Sequence, residues 1–302
     1  LNNDGREQHK KKNFKPDTIF HVEQESELMK FLLEKLPHKN RNNIKSLLTS
    51  DQIEVDGKSQ SKYNLKLKPG SQVKVTWERS PVTKSFRGFS IVFEDEHLIV
   101  IDKHAGILSV ATENERDYTA YSFLSKHVKR GNPENKIFIV HRLDRDTSGV
   151  MVFAKSAAVQ HQMQENWRDV ITERTYIAIA EGVIEENEGE ISSYLHENAA
   201  MVVYSDQNPE GGKKAVTHFK VLKRSEEYTL LEVRLDTGRK NQIRVHMMEF
   251  GHPLINDKKY GGTMNPINRL GLHSKVLGFI HPVTKRPMRF ETPIPRKFMR
   301  LF

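Results

Sequence analysis

The stretch His141-Arg142-Leu143-Asp144-Arg145-Asp146-Thr147-Ser148-Gly149 decides how the rest of the chain is read. An apolar run, Ile137-Phe138-Ile139-Val140, leads into it, and a second, Val150-Met151-Val152-Phe153-Ala154, leads out. Both runs have the length and β-branched content of buried strands. The segment between them is too charged to be core, and its Thr-Ser-Gly ending suits a turn. A polar turn carried between two buried strands is a rigid support for a reactive side chain. Asp144 is the candidate. A carboxylate there could be a nucleophile, a general base, a metal ligand or half of an ion pair. Taken alone, the segment would be read as Asp144 and Asp146 pairing with Arg142 and Arg145 in an exposed loop, because such pairs are common and weak.

Composition narrows the classes. The 302 residues suffice for one large or two ordinary domains and for a proper core. With 36% hydrophobic and 29% charged residues, the chain reads as soluble and globular rather than disordered. No apolar run reaches the roughly 18 residues of a membrane span, and the first residues lack the apolar core of a signal peptide. Cysteine is absent, which excludes disulfides, thiolate catalysis and cysteine-bound zinc, and a reducing cytoplasm is the expected location. The net charge of +9 points to a polyanionic partner, nucleic acid rather than a membrane surface. No repeat, phosphate-binding loop or dinucleotide fingerprint occurs. His141, His246, His252, His273 and His281 lack metal-ligand spacing such as H-E-x-x-H, so they read as structural and no metal is expected.

Taken in order, residues 1–17 read as a flexible basic tail. Residues 18–78 read as a small domain. Helical spacing of Leu28, Phe31 and Leu32 predicts a helix over 27–36, ended by Pro37, and Ile44, Leu47 and Leu48 predict a second over 40–49. Alternating strands follow at 52–58 and 72–77, with turns at Asp56-Gly57 and Pro69-Gly70. Lys35, Lys39, Arg41 and Lys45 form a basic helical surface suited to phosphates. Residues 79–88 lack periodicity and carry Pro and Gly, the best linker candidate. The remainder, 89–302, is mostly short strands with a few helices. A hairpin is expected over 91–103 and a helix over 117–129. A helix capped by Ser156 should run to Trp167. Antiparallel strands are expected at 215–221 and 229–235, and a last helix closed by Gly251.

The stretch 141–149 meets every fixed position of H-R-L-D-x-x-T-S-G, and it resembles the first motif of the RluA-type pseudouridine synthases. The resemblance implies that Asp144 is the catalytic nucleophile. Arg174-Thr175-Tyr176-Ile177-Ala178 matches the second motif, R-x-Y-x-A, which implies that Tyr176 lies against the target base. An aromatic face is a stacking platform for an extruded base. The third motif, T-G-R-T-H-Q-I-R-V-H, is matched from Thr237 to His246 except at Lys240 and Asn241, which stand where Thr-His is usual. Arg244 then corresponds to the arginine that pairs with the nucleophile, and a guanidinium favours and orients a charged carboxylate. The loop Gly251–Gly261 resembles G-x-P-x-x-G-D-x-x-Y-G, with Asn256 replacing Gly, and Leu272-His273-Ser274 resembles L-H-A, which implies that Leu272 lines the base pocket.

Residues 18–78 resemble the S4 RNA-binding domain through Ile53–Gly57 and Leu67–Val73. The resemblances together imply an α+β protein: an S4-like domain (18–78), a linker (79–88) and a catalytic domain (89–302) with a long mixed, mainly antiparallel sheet. They imply isomerisation of uridine to pseudouridine in structured RNA, most commonly large-subunit ribosomal RNA, by a cytoplasmic monomer without cofactor or metal. Arg142, Arg145, Lys103 and Arg239 would hold phosphates. The other readings are a synthase acting on transfer RNA, a non-catalytic RNA-binding assembly factor, and a glycosidase-like hydrolase, which would need a second catalytic carboxylate.

Overall fold

The computed structural model describes residues 17–49, 52–60, 62–77, 84–113 and 115–302. The basic tail up to residue 16 and residues 79–83 of the expected linker lie outside the described residues. The chain divides into two compact units, one up to residue 82 and one from residue 83 onward.

In the first unit, the helices Leu28–Lys35 and Arg41–Thr49 form where the periodicity places them. They bury Leu28, Leu32, Ile44 and Leu48 against Ile53, Val73 and Val75. The strands are shorter than expected, Ile53–Val55 and Gln72–Val75, and they flank each other in a four-stranded sheet. A strand not foreseen, Thr18–His21, pairs antiparallel with Gln72–Val75. Trp77 Nε1 donates to Thr18 Oγ1 at 2.6 Å, tying the segment after Gln72–Val75 to the strand Thr18–His21.

The second unit is built on a sheet with twelve strands among the described residues. Its order from one edge is Val203–Asp206, Glu188–Glu197, Lys213–Arg224, Tyr228–Leu235, Ile171–Glu181, Leu272–Ile280, Ser148–Ala154, Leu98–Lys103, Phe89–Glu94 and Lys84–Phe86. Two short strands, Phe138–Ile139 and Pro287–Glu291, pair alongside it. The strand Lys84–Phe86 corrects the linker reading: these three residues of 79–88 belong to the sheet edge, paired with Phe89–Glu94. The turn expected to end at Gly149 is also shorter, because Ser148 and Gly149 already belong to the strand.

That strand, Ser148–Ala154, is buried along its whole length. Val150, Val152 and Ala154 pack with Val159 and Met163 of the helix Ala157–Glu165, whose Ser156 cap accepts from the Val159 amide. Met151 and Phe153 pack on the other face with Ala120, Leu124 and Val128 of the helix Ala120–Lys129. Both faces are therefore covered, which is why this strand reads as a continuous apolar run rather than an alternation.

Among the described residues, its pairing with Leu272–Ile280 is the sheet's parallel contact, Ser148 opposite His273 and Gly149 opposite Ser274. A parallel pair brings two strand starts to the same end of the sheet. The loop before Ser148 and the residue Leu272 are thus neighbours although far apart in sequence. The next strand, Ile171–Glu181, runs antiparallel and sets Tyr176 opposite Ser274. Gly149 has φ +110, and a Cβ there would collide with the Ser274 backbone, so only glycine allows this approach.

Candidate active site

Asp144 sits in the loop that ends where the strand Ser148–Ala154 begins. Its neighbours are held from both sides. The Leu143 amide donates to Ser109 Oγ at 3.2 Å, and that hydroxyl donates back to the Leu143 carbonyl at 2.6 Å. The Arg145 carbonyl accepts from Lys103 Nζ and from the Gly106 amide, both at 2.9 Å. Leu143 and Thr147 are buried, while Asp144 keeps 38% of its side chain exposed, so the loop is anchored and its carboxylate is open.

Arg244 comes from the helix Gln242–Glu249. Buried Gln242 seats the start of that helix: its amide donates to the Val216 carbonyl and to Thr217 Oγ1, and its oxygen accepts from Thr237 Oγ1 and the Arg239 amide. His246, one turn on, is held between Thr217 Oγ1 at 2.8 Å and Ser193 Oγ at 3.1 Å. Burial draws its pKa down to about 4, so it packs as a neutral ring.

The Arg244 guanidinium donates from Nε and Nη2 to the two oxygens of Asp257, each at 2.7 Å. Asp257 is fully buried, and this bidentate pair satisfies it. Nη1 reaches Asp144 Oδ2 at 3.1 Å. The guanidinium also lies over the Tyr260 ring, 4.9 Å from its centroid. Burial works against the charge of Arg244, but Asp257 and then Asp144 raise its pKa above the ordinary arginine value. It stays a cation at any working pH.

The pair faces a cavity of about 600 Å³. Its walls include Asp144, Arg244, Tyr176, Leu272, Arg142 and Arg239. Six of the residues singled out from the sequence therefore share one space. Tyr176 packs between two core clusters with its ring at the cavity wall, and burial pushes its phenol above the ordinary value. Tyr176 is thus a neutral, flat surface. Leu272 is buried in the neighbouring core and closes another wall.

Other predicted residues do different work. Lys103 is a correction: it is completely buried and its ammonium donates to the carbonyls of His104, Ile107 and Arg145, so it braces the Asp144 loop and is out of reach of a phosphate. Burial pulls its pKa down to about 7, against the attraction of Asp146 and Asp144. Arg145 is exposed and pairs with Glu115 at 3.2 Å, and it does not line the cavity. Arg142 is exposed at the cavity rim. Arg239 donates from Nε to the Lys214 carbonyl at 3.1 Å.

The structure adds residues to which the sequence assigned no role. Arg174 donates to the Leu235 carbonyl at 3.1 Å and places a guanidinium in the cavity beside Tyr176. Its signal was its place as a fixed residue of the R-x-Y-x-A pattern. His141 Nε2 accepts from the Val152 amide at 3.1 Å, and burial followed by the Arg174 charge lowers its pKa to about 3. Asp257 and Tyr260 stood inside the Gly251–Gly261 loop pattern, but their convergence on Arg244 is a tertiary fact. Among the described residues no group of three or more His, Cys, Asp or Glu side chains is placed to hold a metal ion.

An open carboxylate held by a clamped arginine, opposite a buried aromatic wall, defines a site for nucleophilic chemistry on a flat, extruded group. Known proteins resemble this chain in sequence and fold. A family profile described as RNA pseudouridylate synthase matches residues 97–249. The uncharacterized RNA pseudouridine synthase YhcT of Bacillus subtilis is 35% identical over 85% of this chain and 86% of its own length. The ribosomal large subunit pseudouridine synthase D of Pseudomonas aeruginosa is 36% identical over 70% of each chain. The solved structure of human RNA pseudouridylate synthase domain containing 4 superposes with a TM-score of 0.56 at 25% identity, covering 70% of this chain and 90% of that one. The chain belongs to the RNA pseudouridylate synthase family, within its RluA-type branch, and is an isomerase acting on RNA. Its large mixed sheet is the fold of that family. No helix among the described residues is long and apolar enough to cross a membrane.

Proposed function

We propose that this enzyme converts specific uridines of large-subunit ribosomal RNA to pseudouridine, with Asp144 as the nucleophile and no cofactor. The observation that carries the reading is the Asp144–Arg244 pair, 3.1 Å apart, opening on one cavity with Tyr176 and Leu272. Relatives named ribosomal large subunit pseudouridine synthase D support the choice of RNA.

The uridine leaves its stack, at a cost of a few kcal/mol, and enters the cavity. Arg142 and Arg239 at the rim hold its backbone, and the uracil lies against the Tyr176 face, a contact worth roughly 1–3 kcal/mol. Arg244 holds Asp144 in place and aimed, and Asp144 acts on the ribose side of the glycosidic bond. The N1–C1′ bond breaks, the uracil turns between Tyr176 and Leu272, and C5 bonds to C1′. The C5 proton is lost and N1 gains one, so substrate and product have the same atoms and no oxidant or second substrate is needed.

The first unit acts as an S4-like RNA-binding domain, 18–78, whose Lys35, Lys39, Arg41 and Lys45 track phosphates. The protein works as a cytoplasmic monomer. Sequencing pseudouridines in total RNA from cells with and without the gene tests the substrate. Loss of sites in large-subunit ribosomal RNA is expected. Loss confined to transfer RNA would overturn the substrate reading, and no loss at all would overturn the function.

A further inference from the structure

We propose that Asn241 is a positioning residue for the Asp144–Arg244 pair, holding the one guanidinium nitrogen that meets the carboxylate. The inference rests on the reading of Asp144 as the nucleophile. Nη1 of Arg244 has two acceptors, Asp144 Oδ2 at 3.1 Å and Asn241 Oδ1 at 3.2 Å. The other two nitrogens are committed to Asp257. A planar fork gripped along one edge can still rock about that edge, and rocking would move Nη1 most. Asn241 supplies the second point of support on the moving side.

The amide is itself fixed. Its Nδ2 donates to the Tyr260 hydroxyl at 2.9 Å, and the Tyr260 ring lies against the guanidinium. One orientation of the amide satisfies both contacts, oxygen toward the cation and nitrogen toward the hydroxyl. Neutrality also matters. An uncharged acceptor steadies Nη1 and leaves Asp144 as the only carboxylate on that nitrogen, whereas a third carboxylate would compete for it.

The backbone suits the role. Asn241 stands immediately before the helix Gln242–Glu249 at φ 55 and ψ 17, a left-handed conformation in which Asn is among the better-tolerated side chains. This residue is also one of the two at which the chain departs from the T-G-R-T-H-Q-I-R pattern, so the geometry gives the departure a function. The other, Lys240, is tied to Glu197 and to the Met201 carbonyl, away from Arg244.

The test uses the full chain and total RNA purified from cells lacking this enzyme, with single-turnover pseudouridine formation followed across RNA concentrations. Asn241→Gly keeps the left-handed turn and removes both hydrogen bonds. Its limiting rate should fall about ten- to a hundredfold, with the half-saturating RNA concentration within about twofold of wild type. Asn241→His should recover most of that rate, because one ring nitrogen can accept while the other donates, and His also tolerates the left-handed region. An unchanged limiting rate in Asn241→Gly, with Asp144→Asn inactive alongside, overturns the proposal and leaves the nucleophile reading standing. A loss confined to half-saturation, or shared in full by Asn241→His, also overturns it, since that marks an RNA-binding or purely structural residue. Normal turnover by Asp144→Asn removes the nucleophile reading, and this proposal falls with it. Should Asn241→Gly fail to fold, Tyr260→Phe removes only the hydroxyl that orients the amide. It should lower the limiting rate about threefold, and an unchanged rate overturns the proposal.

Discussion

The two compact units hold their positive charge in opposite ways. In the first, Lys35, Arg41 and Lys45 are exposed on short helices, and Lys35 and Lys39 lie over aromatic rings, 5.9 Å from Phe31 and 5.7 Å from Trp77. In the second, the cations nearest the chemistry are built into the fold. Lys103 is completely buried under three carbonyls, Arg244 is locked to Asp257, and Arg269 donates to Ser148 Oγ and to the Leu270 and Leu272 carbonyls. A surface cation changes how strongly a polyanion is held and how salt weakens the grip. A buried one sets where backbone and carboxylates stand. A net charge of +9 sums both kinds and separates neither.

The largest effect expected from breaking this contrast lies at Asp257. Asp257→Ala leaves the Arg244 cation buried without its bidentate partner, which should cost about 3–5 kcal/mol of stability. Turnover should fall at least about a hundredfold, since Nη1 no longer has a fixed direction. Denaturant melts and single-turnover rates check both. A variant as stable and active as wild type would mean that the clamp is incidental.

Acid is the next lever. Burial first, joined at His141 and His273 by neighbouring cations, holds His141 at about 3 and both His246 and His273 at about 4, below the usual 6.5. Between pH 6.5 and 4 the unfolded chain therefore binds protons that the folded unit refuses. Stability falls as pH drops through that window, by up to about 1.4 kcal/mol per pH unit for each histidine. All three of these histidines belong to the second unit, so the loss of stability is expected there. Unfolding followed unit by unit at pH 7 and pH 5 would contradict this if both lost stability equally.

A direct comparison of cations sharpens the contrast. Lys103→Met strips the donor from three carbonyls and should destabilise the second unit by about 1–3 kcal/mol, with no change in the salt dependence of RNA binding. Arg142→Ala should do the reverse, reducing the salt slope by about one while leaving stability within about 0.5 kcal/mol. The smallest effect is expected at Lys35→Ala, which should also reduce the salt slope by about one without altering the limiting rate. Binding curves at several salt concentrations distinguish these outcomes. A salt-slope change in Lys103→Met would show that its ammonium does meet RNA.

Much of the site was legible because short stretches carried it. The loop at 141–149, Tyr176 and Arg244 stood out by residue type and spacing, and the apolar runs around Asp144 announced buried strands. Lys103 looks like a phosphate contact in the sequence because sequence gives a lysine's charge but not its depth, and the depth comes from the buried strand Leu98–Lys103. The meeting of Asp144 with Leu272 depends on one parallel pairing between strands about 120 residues apart, which local periodicity cannot signal. The cage around Arg244 draws Asn241, Asp257 and Tyr260 from a helix start and a loop, so its parts were visible but their convergence was not. At the sheet edge, Lys84–Phe86 lacks a long alternating pattern and looks like linker in the sequence, and pairing with its neighbour makes it a strand.

The most direct test of the central claim follows the hydrogen at C5. RNA from cells lacking the enzyme, prepared with tritium at uridine C5, is incubated with wild-type protein and with Asp144→Asn. Forming the C5–C1′ bond expels that hydrogen. Wild type should release tritium to water in step with pseudouridine formation, and Asp144→Asn should release at least about a thousandfold less while binding the RNA normally. Release by Asp144→Asn at the wild-type rate would contradict the account.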